Sequence, residues 1–434
     1  MTNLVAEPFA EQPRLFPAVE AVQPPPRTSK QLLFDRNLGC LFWGKLSSMA
    51  GTWSFTMIAS ILVFSETGSA LAVGLVGTAL YLPQLLLTLP VGTRVDRGTL
   101  KGLMVSGAAC MLFGTTALAT IAATALIAGW AHAIAVMVCS ALIGLGIVLS
   151  SSPMQAIVPR LVTHEELPTA MGINFAPMTL ARIGGPVAGA ALVANLGVTA
   201  GLLATASCQA IALAALIAVR EPHPPSVPEH SDLSMRNAVR HVIADRQLMM
   251  MLIVAMSVTF ASEPSLTLAA PLAHELNHDG VLIGALTAAF GCGGLAGLLL
   301  NRLLDGKGWT GHGISFALSA MTLGMGIAAV SPWAAMALAG FAVAGLGFSI
   351  AVSRTAIVII LRVPALLRGR VLSLWMLCFV GVRPAGSAAV GLIADLVSVR
   401  AAVAAMAATT LIVLGVLVVR QEGPFLRRRI GQPR

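Results

Sequence analysis

Long apolar runs separated by short polar turns cover almost all of the chain from Leu38 to Val419. A helix rising 1.5 Å per residue needs about 20 apolar residues to cross the hydrocarbon of a bilayer, more than a soluble core helix supplies. Twelve such runs are predicted, at 38–64, 73–93, 102–127, 133–158, 168–194, 199–219, 248–272, 281–301, 313–331, 333–361, 371–394 and 400–420. Some are parted only by Gly129-Trp130, Asn195-Leu196-Gly197 or Ser331-Pro332. Turns that short make the flanking helices antiparallel neighbours. The pattern predicts an all-α membrane protein.

The polar remainder divides the chain. Residues 1–37 hold Pro13, Pro17, Pro24, Pro25 and Pro26 among mixed charges, with no apolar segment after a basic start. A disordered cytoplasmic tail is expected there, not a cleaved signal. Six runs fill residues 38–219 and six more fill 248–420. Between them lies the longest internal polar stretch, 220–247, with Pro222, Pro224, Pro225, Pro228 and the cations Arg236, Arg240 and Arg246. It reads as a linker between two bundles, and 421–434 reads as a basic tail.

Charge sets the orientation. Of the 27 Lys and Arg, Arg182, Arg354 and Arg383 fall within predicted spans and Arg400 in a loop on one side. The others gather on the opposite side. Lys and Arg are retained in the cytoplasm, so that side, with both termini, is expected to be cytoplasmic.

Composition agrees with a membrane protein. The chain is 57% hydrophobic and 10% charged, with mean hydropathy +0.86, where soluble domains carry about 25% charge. A net charge of +9 and a pI near 10 would suit nucleic acid, but the cations lie in loops whose charge membrane orientation explains. No nucleic-acid partner is expected. Aromatic residues make up only 5%, so Ala, Gly and Leu must carry the packing. Cys40, Cys110, Cys139, Cys208, Cys292 and Cys378 lie within or at the ends of apolar runs. Their spacing suits neither a disulfide nor a metal, and neither metal nor cofactor is expected. With no GxSxG and no pair of acids converging within the spans, the chain does not read as an enzyme.

Two echoes link the halves. The tight turn Gly92-Thr93-Arg94-Val95-Asp96-Arg97-Gly98-Thr99-Leu100-Lys101 lies between runs 2 and 3, and Asn301-Arg302-Leu303-Leu304-Asp305-Gly306-Lys307 lies between runs 8 and 9. Runs 5 and 11 each carry a mid-helix proline among small residues, in Gly185-Pro186-Val187-Ala188-Gly189 and Arg383-Pro384-Ala385-Gly386-Ser387. An internal duplication accounts for both.

The pattern Gly92-x-x-x-Asp96-Arg97-x-x-x-Lys101 resembles the signature loop between helices 2 and 3 of the major facilitator superfamily. Three further blocks resemble its enterobactin-exporter-like branch: Ser69 to Gly74 followed by Leu82-Pro83, Pro153-Met154-Gln155-Ala156 leading to Pro159 through Ala170, and Leu367 through Leu374. The resemblance covers nearly all of residues 34–420. It implies twelve transmembrane helices in two pseudo-symmetric six-helix bundles, working by alternating access. It also implies export of a siderophore, macrolide or other drug-like molecule across a bacterial inner membrane, by a monomer exchanging its substrate for protons. Residues do not fix direction, so an importer of a small anionic solute stays open, as does a non-transporting membrane sensor. In run 5, Gly172, Ala181 and Gly185-Pro186-x-x-Gly189-Ala190 are similar to the signature of drug–proton antiporters, with alanine at two positions where glycine is usual. Small residues at that spacing let helices touch, either as ordinary packing or as a seal between bundles that limits proton leakage.

Individual residues carry narrower expectations. In the fold the resemblance implies, Asp96 faces the start of run 11 near Val371 while the cytoplasmic side is closed. A helix N-terminus favours an anion there by about 0.3–1 kcal/mol. Gly92, Arg97 and Lys101 complete that loop, the two cations holding it to carboxylates or lipid phosphates or anchoring it at the inner face. Glu263 is the only acid deep within a run, roughly 22 Å from the inner face at 1.5 Å per residue. Ionisable residues at that depth are functional candidates. Glu263 is therefore a candidate for the coupling proton or a cationic part of the substrate, or else a carboxylate reaching a wet vestibule. The branch often carries an acid in its first helix, where this chain reads Ser48-Met49-Ala50-Gly51-Thr52-Trp53 with Thr52 in its place. Arg383 and Arg182 lie about 18 Å and 21 Å deep and Arg354 about 12 Å. Three arginines against one carboxylate favour an anionic substrate, unless they bond helix-end carbonyls or snorkel. Asn174 and Gln155 are expected to hydrogen-bond between helices.

Overall fold

The computed structural model describes residues 27–96, 100–124, 126–163, 165–220, 235–276, 281–304 and 312–421. Among these residues regular structure is entirely helical. In chain order the long helices are α1 (Leu38–Thr67), α2 (Ala70–Asp96), α3 (Leu100–Thr124) and α4 (Trp130–Ala156). Next comes one 52-residue helical stretch, Leu167–Ala218, broken only at Gly197. With φ 85° and ψ 168°, Gly197 occupies backbone space that is essentially closed to side chains. Residues 167–196 are therefore α5 and 198–218 are α6. The second half runs α7 (Arg246–Ser262), α8 (Val281–Leu304), α9 (Gly313–Ala329), α10 (Ala334–Arg362), α11 (Ala365–Gly381) and α12 (Val399–Gln421). Among the described residues ten helical stretches are long and apolar enough to cross a membrane, counting α5 and α6 as one and taking α7 as far as Thr267 and α11 as far as Leu396, and the seventeen-residue α9 is a shorter apolar helix.

Two helices continue past a break. Beyond Ser262, α7 goes on through the short helices Pro264–Thr267 and Ala269–Glu275. Pro264 has no N–H to return to the preceding turn, so the regular ladder stops at Glu263. Beyond Gly381, α11 resumes as Arg383–Leu396 with Pro384 in its first turn, for the same reason. The sequence read each as a single run. The breaks place Glu263 and Arg383 at helix ends in mid-chain.

Part of the stretch expected as a disordered tail is folded. Thr28 and Gln31 form a capping box that starts a short helix, Ser29–Leu33. Arg27 bonds both carboxylate oxygens of Glu166, at 2.9 Å each, and Asp35 at 2.9 Å. Residues 1–26 and 422–434 lie outside the described residues, as does 221–234 of the linker, which then forms a helix, Met235–Ala244.

Each half packs around its own apolar core. In the first, α1 lies on α5 and α6, and α4 on α2 and α3. In the second, α10 lies on α8 and α9. Equivalent helix pairs meet through glycine in both. A Cβ on Gly107 of α3 would stand 2.6 Å from the Gly146 carbonyl oxygen of α4, and one on Gly340 of α10 would stand 2.7 Å from the Gly324 carbonyl oxygen of α9.

The bundles meet along a seam whose tight part lies towards one face, the face holding the α1–α2, α5–α6 and α11–α12 turns and opposite to residue 27. There the Asp395 carboxylate accepts from the Ser69 hydroxyl (2.6 Å) and from the backbone N–H groups of Ala70 (2.7 Å) and Leu71 (3.1 Å), at the start of α2. A Cβ on Gly391 would lie 2.5 Å from the Ala70 carbonyl oxygen, and Phe64 meets His274 edge to face at 5.8 Å. We call this the distal face. It is closed.

Candidate functional site

Glu263 ends the regular part of α7 and is 1% exposed. Its carboxylate accepts from the Arg383 guanidinium at 3.0 Å and from the Ser387 hydroxyl at 2.6 Å. Residues 383 and 387 lie four apart on one helix, which brings both donors to the same face. Gly386 lies against the pair, where a Cβ would come within 3.0 Å of the Glu263 Cγ. Arg383 also reaches across the seam. It donates to the Tyr81 hydroxyl of α2 at 3.4 Å and lies over the rings of Tyr81 (5.0 Å) and Phe379 (5.7 Å). A buried ion pair holds only when its remaining donors and lone pairs are met as well. Here a hydroxyl and two rings meet part of that need.

Beside the carboxylate is a cavity of about 10 Å³ lined in part by Thr56, Ser60, Tyr81, Ser140, Glu263 and Ser387. That is room for roughly one water among polar partners.

Arg182 approaches from α5. Its guanidinium lies 4.6 Å from the Phe348 ring centre, 5.2 Å from that of Phe290 and 5.7 Å from that of Trp53. Those rings stand on α10, α8 and α1, so the cation touches both bundles. The Phe348 ring beneath it lies 6.1 Å from Phe379, over which the Arg383 guanidinium lies. The two deep arginines and the deep carboxylate named from the sequence therefore share one region at the seam.

The other sequence candidates lie elsewhere. Arg354 is buried where α10 meets α8 and donates to the Asn301 side chain at 2.6 Å, apart from Glu263. Asn174 accepts from the Lys45 ammonium at its backbone oxygen (2.8 Å) and side-chain oxygen (3.1 Å), tying α5 to α1. Lys45 had been counted with the cations of one face, yet it is buried inside α1. Its place seven residues from the helix start hid it from a count of loop charges. Gln155 was expected to bond between helices. It is exposed near the end of α4, and its side chain makes no hydrogen bond among the described residues. Gly92 lies in the last turns of α2 and Lys101 in the first turn of α3. The Asp96 side chain and Arg97 lie outside the described residues.

The α5 motif faces two ways. Gly185 and Gly189 take α1, where a Cβ would lie 2.6 Å from the Trp53 Cβ and 2.8 Å from the Ser54 carbonyl oxygen respectively. Pro186 and Ala190 take α8 across the seam, where a Cβ on Gly284 would lie 2.7 Å from the Ala190 Cβ. Gly172 touches nothing within 4 Å of where a Cβ would be. Thr52 donates to the Ser48 carbonyl at 2.9 Å and accepts from Gln209 at 3.3 Å, which makes it part of a polar knot inside the first bundle.

A family described as transmembrane secretion effectors, within the major facilitator superfamily, matches residues 35–426. The chain belongs to this family. Like the superfamily at large, this secretion-effector-family protein is a multi-pass membrane protein with the fold of a transporter. None of the curated protein sequences matches it. Among solved structures, it is similar to a bacterial homolog of the human lysosomal transporter Spinster in an inward-facing, unoccupied conformation. The two are 15% identical over 91% of this chain and 97% of that one, with a TM-score of 0.71. The nucleoside transporter NupG is 10% identical over 89% and 99%, also at 0.71. The peptide transporter POT in complex with sulfate is 14% identical over 89% and 94%, at 0.67. At such identities the likeness is one of fold.

Proposed function

We propose that this protein is a secondary active exporter of a small organic molecule, working by alternating access, with Glu263 as the group that carries the coupling proton. Twelve spans in two bundles would place both termini, and the open end of the seam, in the cytoplasm of a bacterium. The enterobactin-exporter-like branch, and with it a siderophore or drug-like substrate exchanged for protons, is the form the sequence blocks favour. A monomer suffices, because the seam lies within one chain. The observation that carries the reading is the Glu263–Arg383–Ser387 cluster, buried at the seam and reaching Tyr81 of the other bundle. A proton on that carboxylate cancels one half of an ion pair of the second bundle whose arginine also holds Tyr81 of the first, so it reaches the boundary between the parts that must move. The closed distal face, with Asp395 on the start of α2, supports an inward-facing state.

A second reading, import of a small anionic solute, is favoured by the two arginines set against one carboxylate. The two readings differ in sign. In antiport, proton and substrate compete, so acidification weakens substrate binding. In proton-coupled import they load together, so acidification strengthens it. The test is purified protein in proteoliposomes under an imposed ΔpH, with ethidium, erythromycin and 2,3-dihydroxybenzoate offered in turn and internal pH followed by a trapped dye. At least one probe is expected to move protons in the wild type, and Glu263→Gln is expected to abolish proton movement while still binding that probe. If none of them moves under either a pH gradient or a membrane potential, the transporter reading fails.

A further inference from the structure

We infer that the central site takes a planar aromatic anion, with Arg182 meeting the negative charge and the ring wall beside it supplying the stacking face. The inference rests on the central site proposed above, but not on the direction of transport.

The charges are not equivalent. Arg383 is committed to Glu263, which leaves Arg182 as the cation in excess. Among the described residues Arg182 has no hydrogen-bond acceptor, and it is only half-buried, so it reaches the space between the bundles. Three ring faces attract its charge, but they leave the five N–H donors of its guanidinium without the acceptors they favour. A carboxylate fits that need, because it accepts two parallel N–H bonds from the planar fork.

The rings continue past Arg182. Phe290 meets Phe348 at 5.5 Å, Phe348 meets Phe379 at 6.1 Å, and Phe379 stacks on Trp375 at 5.5 Å with 20° between the planes. This wall runs from one arginine to the other. In a chain with only 5% aromatic residues, such a gathering needs more than packing to account for it, since Ala, Gly and Leu fill the rest of the fold. Offset stacking on such a face holds a flat ring more tightly than burial of its area alone would. Independently, the Trp375 indole N–H is buried and has no acceptor among the described residues. An acceptor substituent on a bound ring would satisfy it.

A flat organic cation is the obvious rival, because ring faces attract cations too. Here Arg182 already occupies those faces, and a second positive charge beside it would be repelled. An anion at Arg182 also favours a proton on Glu263, and that proton frees Arg383 as a second cation. Proton and anion therefore load together at this site, the sign that the second reading above expects.

The test is calorimetric titration of the full-length protein in nanodiscs with 2-naphthoate, its neutral amide 2-naphthamide, and the cation 2-naphthylmethylammonium. The wild type is expected to bind naphthoate about tenfold or more tightly than either analogue, the scale of one hydrogen bond to a charged group. Arg182→Gln is expected to lose that margin, and Glu263→Gln to tighten naphthoate. Should Arg182→Gln melt early, Arg182→Lys keeps the charge, removes the fork and is also expected to weaken naphthoate. Equal binding of naphthoate and amide, wild-type affinity in Arg182→Lys, or no naphthoate binding at all would overturn the inference. Wild type that drives ethidium across vesicles yet ignores naphthoate sinks this substrate class and leaves the transporter reading standing. Naphthoate binding that depends on Arg182, without movement of any probe, supports the site and sinks that reading instead.

Discussion

A single side chain from the supposed tail holds the loop before α5 in place. The Glu166 carboxyl is held at about 2, against an ordinary 4.5, chiefly by its side-chain hydrogen bond to Arg27 and then by the Arg27 and Thr163 backbone N–H groups. Its folded-state value is depressed, so the stability it contributes is present above pH 4.5 and drains away as pH falls from there to about 2. Arg27→Ala should therefore lower thermal stability at pH 7 by an amount equivalent to about 1 kcal/mol, since half the contact is open to solvent. The loss should shrink between pH 4.5 and 2. Differential scanning fluorimetry of both proteins across that range checks it, and a difference independent of pH would count against the pair. No sequence pattern announced this contact, because its partners are 139 residues apart. Tyr81, Lys45 and Asp395 escaped for the same reason. Glu263 did not, because a lone acid deep in an apolar run is conspicuous by itself.

At the level of helices, hydropathy found the elements but not their breaks. Runs 5 and 6 were separated at Asn195-Leu196-Gly197, where the chain keeps helical hydrogen bonding on either side and turns at one residue. Gly197→Ala should cost about 1–3 kcal/mol, because φ 85° with ψ 168° excludes a side chain. Gly172→Ala, in the same 52-residue stretch with open space around its Cα, should be neutral or add up to about 1 kcal/mol from helix propensity. Comparing the two melting temperatures decides whether conformation or packing makes glycine necessary in this stretch. The interruptions at Pro264 and Val382 matter more for function. They expose helix ends in the middle of the protein, where Glu263 and Arg383 meet. A proline in the sequence marks where such a break is allowed, and its consequence appears only when both broken helices lie side by side.

For the whole molecule, the seam relates two acids. Asp96 ends α2 and was expected at the start of α11, while Asp395 lies near the end of α11's continuation and sits on the start of α2. The second contact exists only while the distal face is closed. Asp395→Ala removes three hydrogen bonds from a solvent-exposed latch worth about 1 kcal/mol, so the ratio of distal-open to distal-closed molecules should rise about fivefold. Spin labels at Ser65 and Val397, both exposed at that face, would show a larger long-distance population by double electron–electron resonance. An unchanged distribution would remove the latch. The sequence by itself determined the all-α membrane class, the major facilitator superfamily and the deep ionisable residues, because hydropathy, charge asymmetry and local motifs are properties of contiguous chain. Only the tertiary structure decided that Arg383 answers Glu263 while Arg182 lies among rings, and that Arg354 and Lys45 serve their own bundles. Depth along a helix is written in the sequence, but the direction a side chain faces, and what stands opposite, depends on how separate helices pack.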